Sequence, residues 1–223
     1  IRNGKLVGLV GIHVDDFISA GNFEFTNHII PKALSVFQVG KSEKESFLYT
    51  GFRIRKGKDH ITLDQAEYIS RIEMPILNAK RLLNKESELT PKELTVYRMM
   101  VGCTNWVARI TRPDLNYDMV SLSTKFKGGK VDDLKAARKV LANIVQNEAS
   151  ITLSSVGNLV KAELWLYTDA SFGNLNDGVD STGSYILFLV NPCNGKCAPL
   201  DWKANKIKRF VNSTLAAETL SLY

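Results

Sequence analysis

Asp15 and Asp16 stand side by side between two apolar runs, Leu6–Val14 and Phe17–Ala20. A plain turn would favour Asp-Gly or Asn-Gly, which tolerate positive φ. Adjacent carboxylates also repel. A divalent cation removes that cost, because Mg2+ favours carboxylate oxygens and keeps its waters and substrate phosphates. Two such ions would stabilise the attacking and leaving oxygens of a phosphoryl transfer. The alternative is a pair of solvated turn acids. Asp169 ends a second apolar run, Leu164–Thr168, and Glu218 lies inside a helix-like run from Ser213. Alone, the first reads as a turn acid and the second as an ordinary helix residue.

Other candidates carry less. Cys193 and Cys197 flank Asn194-Gly195, a hairpin turn signal. Two thiols without a nearby His fall short of the four ligands of a structural zinc. Lys203, Lys206, Lys208 and Arg209 cluster around one acid, Asp201. They read either as a solvated edge strand, which Lys protects from pairing, or as a strip facing nucleic acid. Trp202 between them either stacks or packs. Arg53, Arg55, Lys56 and Lys58 pose the same choice. Arg112 either contacts a phosphate or caps the preceding helix. Asp177 and Asp180 read as solvated loop acids.

The elements that must position these residues follow from pattern. The apolar-acidic-apolar order of residues 6–20 predicts a hairpin with both acids at its tip. Thr26–Phe37 has helical spacing, disturbed by Pro31. Phe47–Arg55 and His60–Leu63 read as strands joined by Gly57-Lys58-Asp59. Asp64, with Glu67 three residues on, predicts a capped helix. Thr90, Pro91 and Glu93 give a stronger helix start, with Leu94, Tyr97, Val101 and Ala108 at helical spacing. That helix should end before Arg112-Pro113. Asp114–Phe126, closed by Gly128-Gly129, and Asp132–Gln146, with Leu134, Val140, Leu141 and Ile144, are further helices. Ile151–Leu153, Leu164–Thr168, Ser184–Val190 and Pro199–Lys203 read as strands, and Ser213–Tyr223 as a helix. The expectation is an α+β chain with a boundary near residues 147–150. Leu164–Thr168 is expected as a central strand. The last helix is expected to bury Leu215, Leu222 and Thr219, bringing Glu218 to Asp169.

The motifs, taken as a set, resemble a known family. His13-Val14-Asp15-Asp16 resembles the YxDD motif of reverse transcriptases, most closely the YVDD of copia-type long-terminal-repeat retrotransposons, with His13 in place of Tyr. Phe47–Ile54 resembles the family's FLGIxI strand, and Ile61–Ile69 its I-x-L-S-Q-x-x-Y-I segment. Tyr97–Gly102 resembles YRxxVG and Thr111–Tyr117 resembles TRPDIxY. Tyr167–Ala170, Ser181–Leu189, Asp201–Lys206 and Ser213–Glu218 are similar, in order, to the YSDAD, TSGYxFxL, SWxSKKQ and SSTxAEY stretches of the family's ribonuclease H. The resemblance implies two regions. Residues 1–148 would hold the end of a reverse transcriptase palm, a primer-grip-like hairpin and helical thumb and connection. Residues 149–223 would begin a ribonuclease H fold. It implies Asp15, Asp16, Asp169 and Glu218 as catalytic metal ligands, for Mg2+ or alternatively Mn2+. It implies His13 near the primer terminus, and an RNA template, a DNA primer, an RNA–DNA hybrid and dNTPs as partners.

In the parent polyprotein that means RNA-directed DNA synthesis serving DNA integration, plus hybrid RNA cleavage, in cytoplasm, virus-like particle or nucleus. The family's first palm Asp would precede Ile1 and its later ribonuclease H acids would follow Tyr223. The chain, which does not begin with Met, reads as an internal segment holding part of both sites. The rival class is a non-catalytic nucleic-acid-binding remnant or a decayed retroelement copy.

Bulk properties agree without deciding. The 223 residues are 44% hydrophobic and 23% charged, with a net charge of +6. That surplus fits a nucleic-acid partner and many other proteins. Three cysteines do not imply a disulfide framework, and no apolar run approaches a membrane span.

Overall fold

The computed structural model describes residues 4–175 and 178–221. Asp177, Leu222 and Tyr223 therefore lie outside the described residues. The chain is mixed α+β, as its patterning predicts. Strands β1 (Gly8–His13) and β2 (Asp16–Gly21) form a two-stranded antiparallel hairpin. Phe25 is buried over its base, where Gly8 pairs with Gly21; a Cβ at either glycine would overlap the ring. A π-helical turn, Phe25–Ile29, runs into α1 (Ile30–Leu34). Pro31 sits in the first turn of α1, where its missing N–H is cheap.

The stretch Phe47–Arg55 is not one strand. It folds back at Thr50 (φ 48°) and Gly51 (φ 90°) between β3 (Ser46–Tyr49) and β4 (Phe52–Lys56). Two successive positive φ angles make a turn that matches strand twist, and Thr50 hid it from a Gly/Asn-based reading. β5 (His60–Asp64) follows, with Gly57 N–H bonded to His60 O at 2.8 Å. The helix expected from Asp64 is only α2 (Ala66–Ile69). Its capping box does not form. Asp64 ends β5 and Glu67 instead accepts from Arg53 and Arg71, both at 2.9 Å.

The helical middle follows its sequence signals closely. Thr90 and Glu93 form a reciprocal capping box on α3 (Pro91–Ile110). α4 (Asn116–Ser123) is extended by 3-10 turns on both sides, and α5 (Val131–Gln146) follows. Their apolar faces make the core. Tyr97, Met100, Val107, Leu134, Ala137, Leu141 and Ile144 are fully buried or nearly so. Tyr97 donates its hydroxyl to Leu122 O at 2.6 Å, and burial raises its pKa.

β6 (Ser150–Ser154) pairs with β5, completing a sheet ordered β3-β4-β5-β6. The strand that opens residues 149–223 thus belongs to the sheet of the preceding segment. β7 (Glu163–Leu175), β8 (Asp180–Asn191) and β9 (Lys196–Lys206) form a separate antiparallel meander, with α6 (Thr214–Ser221) packed on β7 and β8. β7 is an edge strand among the described residues, not a central one. Leu164 is 65% exposed and Leu166 54%. Nor does α6 bury Leu215 or Thr219. Leu215 is 77% exposed, and fully buried Ala217 makes the contact in its place.

Candidate functional site

The acidic pair lies where the pattern predicts. His13 and Asp16 are the last paired residues of the β1–β2 ladder, leaving Val14 and Asp15 as a two-residue turn. Val14 takes φ 55°. Positive φ at the first turn residue is a geometry usually given to Gly, so a β-branched residue is strained there. Both carboxylates are exposed, and His13 stands directly across the ladder from Asp16.

The second acid pair is spread over two elements. Asp169 lies opposite Ser184, whose hydroxyl donates to Asp169 O at 3.3 Å. Ala170 lies opposite Gly183, and α6 passes over Gly183 at Ser221. The helix carrying half-buried Glu218 therefore crosses the sheet at the level of Asp169. Strand alternation puts the Asp169 side chain on the Ser184 face and Gly183 on the other. Among the described residues, no three His, Cys, Asp or Glu side chains gather closely enough to hold a metal by themselves. Asp15 and Asp16 nonetheless offer hard, exposed oxygen donors of the kind Mg2+ takes one or two at a time.

The basic candidates divide. Arg112 is only 12% exposed and its donors are engaged. It meets the Asp114 carboxylate at 2.9 and 2.7 Å, Asn143 Oδ1 at 2.9 Å and Asn147 O at 3.0 Å. Its pKa is raised and that of Asp114 lowered, first by this hydrogen bond. Arg112 thus ties the α3–α4 turn to the end of α5. Trp202 is packed, giving its indole N–H to Ala108 O. Arg53 pairs with Glu67 and Arg55 with Asp64. Lys206 pairs with Asp180 at 2.5 Å, so Asp180 is not a purely solvated acid. Lys203, Lys208 and Arg209 form no ion pair among the described residues. Tyr185, unnoticed in the sequence, lies opposite Lys203 and donates to Asp201 at 2.7 Å. Its local signals are its place in the β8 alternation and within the Ser181–Leu189 stretch. Cys193 and Cys197 are exposed free thiols around the turn that contains Gly195 at φ 68°.

Compared with known proteins, the chain is 26% identical over 216 residues to a Saccharomyces cerevisiae protein named for transposon Ty5-1. The match covers 89% of this chain and 66% of that protein, so the chain spans just under two thirds of its relative's length. No family model matches the chain, and no solved structure does. The chain is transposon-related. No helix among the described residues is long and apolar enough to cross a membrane.

Proposed function

We propose that this chain is a segment of a copia-type retrotransposon polyprotein, reaching from the end of a reverse transcriptase palm into a ribonuclease H fold. The observation that carries the reading is the hairpin tip. Two adjacent carboxylates project from a ladder that closes at His13 and Asp16, exposed and on a strained turn. The transposon relative and the order of the motifs support it.

Asp15 and Asp16 would hold Mg2+ or Mn2+ in the polymerase half, and Asp169 and Glu218 in the ribonuclease H half. The bound cation supplies charge neutralisation to the attacking and leaving oxygens of a phosphodiester. The hairpin's part is positional. Its ladder fixes the backbone of Asp16, and the exposed tip lets a nucleic-acid terminus and nucleotide phosphates reach both carboxylates. His13, across from Asp16, offers a ring N–H to the same region. In the other half, Asp169 and Glu218 would share a cation only around the free edge of β7, because strand alternation puts the Asp169 side chain on the face opposite the one α6 crosses.

The test is to express the chain with the reading frame that flanks it and follow Mg2+-dependent extension of a DNA primer on an RNA template. Asp15→Asn and Asp16→Asn should each abolish extension, while Asp169→Asn and Glu218→Gln should abolish only cleavage of hybrid RNA. Extension indifferent to Asp15→Asn and Asp16→Asn would overturn the reading. Hybrid binding with neither activity would instead leave a non-catalytic nucleic-acid-binding module.

A further inference from the structure

The β3–β6 sheet and the start of β9 meet at a set of reactive side chains that the proposed metal chemistry does not use. Two asparagines build the junction. Asn191, which is buried, gives its side-chain amide to Val156 O at 2.8 Å, and Asn194 reaches the same carbonyl at 3.3 Å. They clasp the chain where it leaves β6, and the Ser155 N–H bonds to Asp59 O at 2.7 Å. Between these walls lies an open cleft of about 480 Å³, within the range of roughly 300–1,000 Å³ usual for small-molecule sites. It is lined by Asp59 and His60, by Thr152 and Ser154 of β6, and by Lys196 and Cys197 of β9.

The lining combines a thiol, a base and both signs of charge. His60 directs Nδ1 to Asp59 Oδ1 at 3.3 Å, and its ring lies against Gly57, where a Cβ would overlap it. With Nδ1–H donated to Asp59, Nε2 carries the lone pair and can take up a proton. The Asp59 pKa is held below its usual value, first by the His60 hydrogen bond, with the nearby Lys196 charge adding to it. Cys193 and Cys197 are both exposed free thiols, but of the two Cys197 lines the cleft. Reactive thiols occupy exposed surroundings of this kind, beside an imidazole and an ammonium. The cluster does not suit a metal, since among the described residues no three His, Cys, Asp or Glu side chains converge. It suits a zwitterionic peptide, with a carboxylate on Lys196, an ammonium on Asp59 and peptide groups on the Thr152 and Ser154 hydroxyls.

We propose that Cys197 is a site of thiol–disulfide exchange with a small zwitterionic peptide disulfide of the glutathione type. The Cys197 thiol passes its proton to His60 Nε2. The thiolate attacks one sulfur of the disulfide, the S–S bond of the reagent breaks, and a new bond forms from Cys197 Sγ to the attacked sulfur. The other half of the reagent leaves as a thiolate and takes the proton from His60. Cys197 is oxidised to a mixed disulfide while one peptide thiol is released, so the reagent is the whole oxidant. Lys196 and Asp59 are positioning residues, which hold the reagent's carboxylate and ammonium. The proposal is independent of the polymerase and ribonuclease H reading. It places a redox-responsive adduct where the two sheets meet.

The test treats the full chain, with its thiols reduced, with glutathione disulfide at neutral pH and follows each cysteine by peptide mass mapping. Cys197 should gain the glutathionyl group about tenfold or more faster than Cys193, an exposed thiol on the same turn. Hydroxyethyl disulfide, which is neutral, separates the chemistry from the charge. Lys196→Ala should slow Cys197 toward glutathione disulfide and leave its rate with the neutral reagent in place, and Lys196→Arg should restore most of the loss. His60→Gln should slow Cys197 with both reagents alike. The Cys193 rate should stay the same in every variant, which shows that the turn is intact. Equal rates at Cys193 and Cys197 in the parent chain overturn the site. Lys196→Ala without effect, or with the same loss for both reagents, overturns the recognition of a carboxylate. An unaltered rate in His60→Gln overturns the step as written, and a Cys193–Cys197 disulfide formed with no mixed disulfide at Cys197 overturns the proposal outright.

Discussion

The indole N–H of Trp202 donates to the carbonyl oxygen of Ala108 at 2.9 Å, joining β9 to the last turn of α3. Ala108 is one of the four residues whose carbonyls a helix C-terminus leaves without an intrahelical donor. Its other partner is Asn116 Nδ2 at a long 3.4 Å. The bond thus satisfies a buried acceptor while fixing the β7–β9 sheet to the helical core. Trp202→Phe keeps most of the packing and loses the donor, and should cost about 1 kcal/mol. Trp202→Ala also opens a cavity and should cost about 3 kcal/mol or more. Urea unfolding of the two variants checks the order. Equal stability of Trp202→Phe and the parent would show that the contact is incidental.

Arg112 bridges two helix ends in the same way. Its guanidinium serves Asp114, Asn143 and the backbone of Asn147, which caps α5. A cation at a helix C-terminus is also favourable to the dipole. Arg112→Lys retains charge but not the planar fork that reaches three partners. We expect Arg112→Lys to lose about 1–2 kcal/mol, with Arg112→Ala losing more. If Arg112 instead served nucleic acid, both substitutions would weaken hybrid binding and leave the urea midpoint where it was.

Glu93 gives the fold a defined acid response. Its carboxylate takes two bonds from Arg81, at 2.9 and 3.1 Å, and one from the Thr90 backbone N–H at 2.8 Å. The hydrogen-bonded Arg81 guanidinium holds its pKa down at about 2, against an ordinary 4.5. The folded form binds the proton less readily than the unfolded chain does. The stabilisation is therefore complete above pH 4.5 and is lost as pH falls from there toward 2. Glu93→Gln should flatten that part of the acid-unfolding curve and lower the midpoint at neutral pH. Thr90→Ala should cost about 1 kcal/mol at neutral pH, through the lost cap.

Sequence and structure agree where the deciding interactions are local. The Thr90–Glu93 box, the break before Pro113 and the α5 stripe each depend on residues within one or two turns. The acidic hairpin is legible because its apolar runs and its turn are contiguous. Legibility fails where a distant partner decides. Ile151–Leu153 reads correctly as a strand, but nothing local tells that it pairs with residues 60–64. Leu164–Thr168 is apolar enough for a sheet interior, yet among the described residues it lies at an edge. Trp202 has two defensible environments in sequence, and only the position of Ala108 chooses between them. Asp64 and Glu67 have the spacing of a capping box, but Arg55 and Arg53 take up their carboxylates.

The approach of α6 to its sheet supplies the last prediction. Ala217 is fully buried, and a Cβ on Gly183 would lie 3.0 Å from Ser221 Cβ and 3.3 Å from its Cα. The second contact is backbone, which cannot swing aside as a side-chain tip can. Gly183→Ala should therefore be mildly destabilising, while Gly183→Val should cost about 1–3 kcal/mol through overpacking. Hydrogen exchange should localise the effect. Amides of residues 214–221 should exchange faster in Gly183→Val, while the α3–α5 core keeps its protection. On the proposed function, Glu218 rides on this helix, so Gly183→Val should lower any hybrid RNA cleavage by the flanked protein and leave primer extension in place. Unchanged exchange of α6 in Gly183→Val would mean that the helix does not rest on the sheet at this point, and a joint role for Asp169 and Glu218 would lose its scaffold.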